Sequence, residues 1–465
     1  MSFYHHQAKY NLGERELQPQ ERLVIGTRKN PQEPMRVAQH LGLSPSHPDA
    51  LILHRVWDDG EYLATFQTKQ HDRFSANYML PDGTQRFGYG LEGKTVYLTH
   101  TLSREYTSQD LVTRLGQLAW TAKYNGADNV VLLAYTLNYG AQERGVHDTE
   151  HQRMQTLSAQ EKFDGQAPTA QWHLLQLAQS GVDAIITPHT HSPEDMQRIC
   201  KEVNEELLPL HELAKTKNHT LRYHVKYHNI DLSPVIGTLF ADIGETKLSL
   251  DTSNQGKNIL FVAVDNGITP FVRNCRQYSG LVNSAFAAMH KKRAKDGVDI
   301  DCLELVDAEN LDPKRGIEGM QVVVLDDMIR SGSTMDMNIR VLGGQDIDGI
   351  KRSDLIFGKP ERVIVYATRT ICNSQAIDIL SKNKMVKDVL VTNADSRVKY
   401  NLGQLATKTQ ILWINFVMGA AAKAVEHGED PNMVLTPAYI RKHQLLHLQR
   451  PHEHYRNTGE AEGII

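Results

Sequence analysis

The stretch VVVLDDMIRSGSTM, residues 322–335, decides the fold of the region around it. A buried apolar run ends in two carboxylates, Asp326 and Asp327, and continues into a turn of small residues that opens a helix. Small side chains let backbone N–H groups close around a phosphate, and a helix N-terminus adds partial positive charge. The residues of that turn are Ser331, Gly332, Ser333 and Thr334. We therefore predict a strand, a phosphate-binding turn and a helix, in that order.

The acid pair suits a different chemical group from the phosphate that the turn binds. Two carboxylates repel a phosphate, but they accept hydrogen bonds from the hydroxyls of a sugar or hold a metal ion nearby. A phosphate-binding turn beside two acids therefore predicts a pocket for a sugar phosphate. The alternative is an ordinary corner between a strand and a helix, in which the acids only cap the helix.

Short runs rich in Val, Ile and Leu recur along both halves of the chain, with stretches of helical length between them. Runs that are apolar on both faces are typical of parallel strands covered by helices on both sides. Examples are RLVIG (22–26), TVYLTH (95–100), VVLLAY (130–135), NILFVAV (258–264) and RVIVYAT (362–368). The alternation predicts right-handed βαβ units and a doubly wound α/β fold, formed once in each half.

The pattern also predicts the domain organisation. Two α/β domains are expected over 21–192 and 193–435, the second containing the acid pair, with tails at 1–20 and 436–465. Three polar or helical stretches are interpreted as insertions, at 145–161, 193–225 and 343–360.

Composition favours a soluble, cytoplasmic protein. The 465 residues carry 51 basic and 55 acidic side chains, so nothing predicts broad attraction to nucleic acid or to an anionic membrane. No secretory leader is visible, and the most apolar run, 411–422, is too short to span a bilayer. The four cysteines form no Cys-x-x-Cys pair, and we expect reduced thiols.

The 322–335 stretch resembles the phosphoribosyl pyrophosphate motif of type I phosphoribosyltransferases and their relatives. From about 22 to about 435 the chain is further similar to the ribose-phosphate pyrophosphokinases, whose two halves each have this fold. The resemblance implies two tandem type I phosphoribosyltransferase-like domains and transfer of the pyrophosphoryl group of ATP to ribose 5-phosphate. Asp326 and Asp327 would then hold ribose hydroxyls, and the 331–334 turn would hold the 5-phosphate.

Three further segments resemble the parts of this family that bind ATP. VWDDGEYLATF (56–66) is similar to a segment that contacts adenine. NYGAQERG (138–145) is similar to a nucleotide-binding loop. DAIITPHTHS (183–192) is similar to a segment that holds Mg-ATP. The matching residues are Trp57, Asp59, Glu61, Gln142, Arg144 and His191. A surface hairpin turn and a charged loop without function are the alternatives for the first two segments. His189 and His191 also allow a transition-metal site.

Two segments resemble the catalytic parts of the family. In FVAVDNGITPFVR (261–273), Asp265 matches an acid linked to magnesium. In MHKKRAKDG (289–297), Lys291 and Arg293 match the cations of a flexible catalytic loop. Cations suit the charge that develops on phosphate oxygens during pyrophosphoryl transfer. The resemblance thus implies Lys291 and Arg293 as catalytic residues and Mg²⁺ held by His191 and Asp265. An ordinary Asp-Asn-Gly turn and a solvated basic face are the alternatives.

The resemblance also implies a homo-oligomer, a dimer or a hexamer, with ATP and ribose 5-phosphate as its ligands. The chain departs from the family pattern at Ala141, at His189 and at Arg330, as well as in the three insertions. Two other functions stay open: a phosphoribosyltransferase, and a non-catalytic relative that regulates an active enzyme.

Overall fold

A computed structural model of the protein divides into two compact units, and each is described by itself. The first unit comprises Met1–Ile230 and Asn415–Val434, and the second comprises Asp231–Ile414 and Leu435–Ile465. The structure describes residues 11–26, 32–43, 52–56, 62–66, 77–79, 85–87, 91–102, 107–140, 168–217, 219–293, 300–329, 331–343, 357–370, 374–395 and 402–451.

The first unit is built on a parallel sheet of five strands. In spatial order these are β1 (Arg22–Gly26), β6 (Thr95–His100), β7 (Asn129–Ala134), β8 (Ala184–Pro188) and β9 (Lys226–Ile230). Two antiparallel hairpins lie between β1 and β6 in the chain, namely β2 (Ile52–Val56) with β3 (Tyr62–Phe66), and β4 (Asn77–Met79) with β5 (Gln85–Phe87). Every residue of the three central strands is buried, which explains their continuous apolar sequences.

Helices connect the strands of this sheet. They are α1 (Gln32–His40), α2 (Ser108–Tyr124), α3 (Thr169–Gln179), α4 (Pro193–Glu206) and α5 (Leu208–Thr216). The start of α2 is fixed by a capping box, in which the Thr107 hydroxyl accepts from the Asp110 amide and the Asp110 carboxylate accepts from the Thr107 amide.

A buried ion pair ties the end of α2 to the residue that precedes β8. Lys123 Nζ lies 2.7 Å from Asp183 Oδ2 and also donates to the carbonyl oxygens of Asp128 and Thr220. Burial lowers the pKa of Lys123 from an ordinary 10.5 to about 8, although the Asp183 carboxylate opposes the shift. The pair therefore makes the stability of the first unit dependent on pH.

We expect Lys123→Met to cost about 2 kcal/mol of unfolding free energy at neutral pH. The cost is moderate because Arg222 stays 3.5 Å from Asp183 and keeps that carboxylate paired. Between about pH 8 and 10.5 the unfolded chain binds a proton that folded Lys123 has released, so the wild type gains stability over the variant as pH rises through this window. Urea unfolding of both proteins at neutral pH and near pH 9.5 measures the difference. If the variant loses the same unfolding free energy at both pH values, the pKa of Lys123 is not lowered in the folded protein.

The second unit contains a larger, mainly parallel sheet. In spatial order its strands are β12 (Ile300–Glu309), β11 (Ala285–Arg293), β10 (Ile259–Ala263), β13 (Gln321–Ile329), β14 (Arg362–Thr370), β15 (Val386–Thr392), β16 (Thr409–Leu412) and β17 (Leu448–Gln449). Only the outermost pairs, β11 with β12 and β16 with β17, are antiparallel in the described part of this sheet. Its helices are α6 (Ser233–Asp242), α7 (Gly244–Leu248), α8 (Ser253–Gly256), α9 (Thr269–Ser279), α10 (Ser333–Leu342) and α11 (Ser374–Lys382). The predicted α/β class with mainly parallel sheets is confirmed.

The chain returns to the first unit after β16. Helices α12 (Asn415–Glu426) and α13 (Pro431–Val434) pack there, and the next helix, α14 (Pro437–Lys442), lies again in the second unit. Gly419 of α12 allows the close approach of α1, because a Cβ at this position would come within 2.8 Å of His40 Cβ. The sequence pattern predicts that 193–230 and 415–434 belong to the second domain, whereas their contacts place both segments in the first unit.

The described helices include none with the length and apolar character that crossing a membrane requires. Cys200 and Cys275 are buried free thiols.

Candidate functional site

The predicted acid pair lies at the carboxyl end of a central strand in the second unit. β13 is hydrogen-bonded to β10 on one side and to β14 on the other, and Asp326 and Asp327 stand near its end. The Asp327 amide donates to Asp326 Oδ1 at 2.8 Å, which fixes the position of that carboxyl group. Crevices at the carboxyl ends of parallel strands are where doubly wound sheets bind their ligands.

Asp265 lies beside this pair, after the neighbouring strand β10. Its Oδ1 accepts from the amides of Gly267 at 2.9 Å and Ile268 at 3.3 Å, and this turn leads into α9. Burial, the Asp327 carboxylate and the Asp265 carboxylate together raise the pKa of Asp326 well above its ordinary value. The structure therefore brings three predicted site residues together at one edge of the sheet.

The predicted phosphate turn follows the pair directly. Ser331 Oγ lies 3.0 Å from Ser333 Oγ, and α10 begins at Ser333, so the hydroxyls and the first amides of the helix are close to one another. Gly332 has a φ of 76°, in the left-handed region. A Cβ on Gly332 would lie 3.1 Å from both the Cα and the Cβ of Ala376, at the start of α11. The turn thus requires glycine at position 332, because the backbone there is left-handed and because a side chain would come too close to Ala376.

Replacing Gly332 by alanine tests this turn. We expect about 1 kcal/mol of destabilisation from the left-handed backbone, and in addition a roughly 10-fold loss of affinity for inorganic phosphate or a sugar phosphate, because α10 or α11 must shift. The matched control is Gly280→Ala, since Gly280 has a φ of 66° in the same unit and no atom within 4 Å of an added Cβ. It should lose similar stability and keep its affinity, as measured by thermal melting and calorimetry. Equal affinity losses in both variants would mean that the 331–334 turn does not bind the phosphate.

Arg369 belongs to the same site and is not among the residues that the sequence pattern predicts there. It lies near the end of β14, is 5% exposed, and donates through Nη2 to Asp327 Oδ2 at 3.1 Å. A signal was present in the sequence, because RVIVYATRT is typical of a strand and has an arginine as its next-to-last residue. Only the register of β14 beside β13, in which Arg369 pairs with Met328, brings that arginine to the acid pair.

Lys291 and Arg293 are the predicted catalytic cations, and their backbones lie at the end of β11. Lys291 is paired with Leu303 and Arg293 with Ile300 of β12, with an irregular register between Lys292 and Arg293. The family resemblance implies a flexible loop here, whereas the described residues up to Arg293 form a strand, which is adjacent to the β10 strand that leads to Asp265.

His191 lies in the first unit, just after β8. The preceding residues are tightly held, because the His189 amide donates to the Ile230 carbonyl at 2.9 Å and Thr190 Oγ1 lies 2.8 Å from the Tyr227 hydroxyl oxygen. His189 has a φ of 41°, and His191 itself is exposed. The described residues contain no cluster of three or more His, Cys, Asp and Glu side chains able to hold a metal ion.

The remaining predicted site residues lie outside the described residues, and their roles stay predictions. They are Trp57, Asp59, Glu61, Gln142 and Arg144. Ala141 and Arg330, two of the departures from the family pattern, also lie outside them.

Fold and site together define an α/β protein whose described residues form a five-stranded parallel sheet, a mainly parallel eight-stranded sheet and two short hairpins, with an acid pair followed by a hydroxyl-rich turn. A solved structure of this architecture, the crystal structure of phosphoribosylpyrophosphate synthetase from Mycobacterium smegmatis, matches with a TM-score of 0.54 and 15% identity. The match covers 88% of this chain and 99% of that chain. Neither a family model nor a curated protein matches the sequence. The likeness shows the fold, and the predicted pair of phosphoribosyltransferase-like domains is confirmed.

Proposed function

We propose that the protein is a ribose-phosphate diphosphokinase, which transfers the pyrophosphoryl group of ATP to ribose 5-phosphate and gives phosphoribosyl pyrophosphate and AMP. One observation carries the proposal: Asp326 and Asp327 precede the 331–334 turn at the end of a central strand, with Asp265 beside them. Carboxylates that accept from hydroxyls, followed directly by donors for a phosphate, match the two ends of ribose 5-phosphate. The solved structure of similar fold supports the same proposal.

Each group of residues has a role in this reaction. The ribose 1-hydroxyl attacks the β-phosphorus of ATP and releases its proton to solvent, a new O–P bond forms, and the bond between the β-phosphorus and the oxygen of AMP breaks. Asp326 and Asp327 orient the ribose hydroxyls. Lys291 and Arg293 neutralise the negative charge that develops on the transferred group. Positioning and charge stabilisation supply most of the catalysis in such a transfer.

The chemistry of the second unit's acids fits a magnesium ion. Asp265 and Asp326 are close enough to repel each other, and carboxylate oxygens are ligands that Mg²⁺ prefers. We propose that Asp265 holds Mg²⁺, and the ligand role of His191 stays what the family resemblance implies. When bound, Mg²⁺ neutralises charge on the phosphate oxygens of ATP.

We further propose that ATP is bound by residues of the first unit and that the protein works as a cytoplasmic homo-oligomer, a dimer or a hexamer. The residues proposed for ATP are Trp57, Asp59, Glu61, Gln142, Arg144 and His191. An aromatic ring such as that of Trp57 is a suitable stacking platform for a purine.

A coupled assay for AMP tests the proposed function. AMP should form from ATP and Mg²⁺ only when ribose 5-phosphate is present, and phosphoribosyl pyrophosphate should appear in equal amount. AMP release without the sugar phosphate, or no release at all, would overturn the proposal. In the second case, calorimetric binding of ATP or ribose 5-phosphate would favour a non-catalytic regulatory protein, and consumption of phosphoribosyl pyrophosphate with a base would favour a phosphoribosyltransferase.

A further inference from the structure

Two exposed tryptophans lie in one groove of the first unit, between α2 and α3. Trp120 on α2 is 41% exposed and Trp172 on α3 is 43% exposed, whereas Trp413, the other tryptophan that the structure describes, is fully buried. The groove has a volume of about 680 Å³. The helices approach closely there, because a Cβ on Gly116 would lie 3.1 Å from Ser180 Oγ. Large exposed aromatic side chains around one groove indicate a surface that another molecule covers.

The α2–α3 groove is also uncharged. Its described lining has four glutamines among apolar and hydroxyl residues, and includes no Asp, Glu, Lys, Arg or His. The two helices have 17 and 11 residues, and their only charged side chains are Asp110, Arg114 and Lys123. Arg114 and Lys123 are buried, and Asp110 belongs to the capping box at the first turn of α2. Exposed helices usually carry charges, and a surface without them but with aromatic side chains is typical of the core of a protein–protein interface.

A contact between two copies of this chain explains why the groove is uncharged. In a two-fold contact the same surface lies on both sides, so that side chains near the axis face their own copies. A charge there would meet a like charge, whereas a glutamine amide has donors and an acceptor and can pair with another glutamine. A different protein imposes no such condition, because its charges can be opposite to those of this surface. We propose that the α2–α3 groove is a two-fold interface, in which Trp120 and Trp172 of each copy are buried against the other copy.

Charges placed on this surface should separate the copies. Thr113 and Gln117 are exposed, lie one turn apart on α2 and line the groove. In the lysine variant, Thr113→Lys with Gln117→Lys, each copy presents two positive charges to the other, and the dissociation constant should rise by about 100-fold or more. The glutamate variant, Thr113→Glu with Gln117→Glu, should dissociate in the same way. An equimolar mixture of the two variants should associate again, because opposite charges then face each other.

The matched control is Thr216→Lys with Gln39→Lys, on α5 and α1 of the same unit. It makes the same two substitutions at exposed helical positions outside the groove. The Thr216 hydroxyl donates to the Glu212 carbonyl, as the Thr113 hydroxyl donates to the Gln109 carbonyl, so that both double variants lose the same kind of hydrogen bond. The control should therefore keep the association of the wild type.

The experiment is analytical ultracentrifugation of the full-length proteins over a range of concentrations, alongside thermal melting to establish that each variant is folded. The wild type and the control should be dimers or larger assemblies, and the lysine variant should have a smaller mass at the same concentration. If the lysine variant melts without a folded baseline, the glutamate variant takes its place. An unchanged mass in the folded charged variant overturns the inference, and so does a mixture of two folded variants that stays dissociated.

This inference rests on the homo-oligomer of the proposed function, to which it assigns a surface, and its outcome is separate from that of the AMP assay. Assemblies that the lysine variant separates, without AMP release, would support the interface and reject the diphosphokinase. Ribose 5-phosphate-dependent AMP release together with a mass that the lysine variant leaves unchanged would retain the diphosphokinase and reject the interface. A monomeric wild type would mean that a different molecule covers the groove, and it overturns the inference whether or not AMP is released.

Discussion

Replacing Lys291 by alanine should lower the rate of ribose 5-phosphate-dependent AMP release by about 1,000-fold, with a much smaller change in KM. The proposed reaction separates AMP from a pyrophosphoryl group, and negative charge accumulates on the oxygens of both. A cation that meets this charge mainly in the transition state contributes to kcat rather than to substrate affinity. Steady-state kinetics with varied ATP and ribose 5-phosphate separate the two quantities.

The neighbouring lysine provides the control. Lys292→Ala removes the same charge and the same number of atoms from β11, where Lys292 is paired with Cys302 and Lys291 with Leu303. Lys292 is not a match to the family's catalytic cations, so its loss should change kcat by less than about 3-fold. Equal losses in the two variants would indicate a general effect of charge on this strand, and full activity in Lys291→Ala would remove Lys291 from the mechanism.

Local features of this protein could be predicted from sequence because the interacting residues follow one another in the chain. The run 322–329 becomes a buried strand, its two acids stand at the strand's end, and the small residues after them form the turn before α10. Apolar runs such as 22–26 and 95–100 are likewise the strands β1 and β6, with the same bounds. Hydrophobic pattern and turn chemistry act over a few residues, so they are readable without knowledge of the fold.

Features that depend on strand register or on distant packing could not be predicted in this way. Arg369 meets Asp327 across 42 residues of sequence, through the pairing of β14 with β13. The strand at Lys291 and Arg293 depends on its partner β12, because a basic and polar sequence does not by itself favour a strand over a loop. The assignment of 415–434 to the second domain followed chain continuity, whereas contacts with the start of the chain hold this segment in the first unit.

The residue that anchors 415–434 is Glu426, at the end of α12. Its carboxylate is fully buried and accepts from Arg22 Nη2 at 2.5 Å, from Arg22 Nε at 2.9 Å and from the Tyr97 hydroxyl at 2.7 Å. The Leu17 amide also donates to it, at 3.2 Å. Burial alone would lower the pKa of Arg22, but the Glu426 carboxylate more than compensates, so that the net pKa is raised and Arg22 stays charged.

Glu426→Ala should therefore destabilise the first unit by about 3–5 kcal/mol, because it leaves the Arg22 guanidinium buried without its counter-charge. Denaturant unfolding followed by circular dichroism measures the loss of unfolding free energy. Glu429→Ala is the control, because Glu429 is exposed and lies three residues further along the chain. This substitution should cost less than about 0.5 kcal/mol. The double variant Arg22→Met with Glu426→Met removes both charges and should recover much of the loss, because the penalty comes from the unpaired charge rather than from the absence of the pair. A loss below about 1 kcal/mol in Glu426→Ala would mean that the packing of α12 against α1, and not this network, holds 415–434 in the first unit.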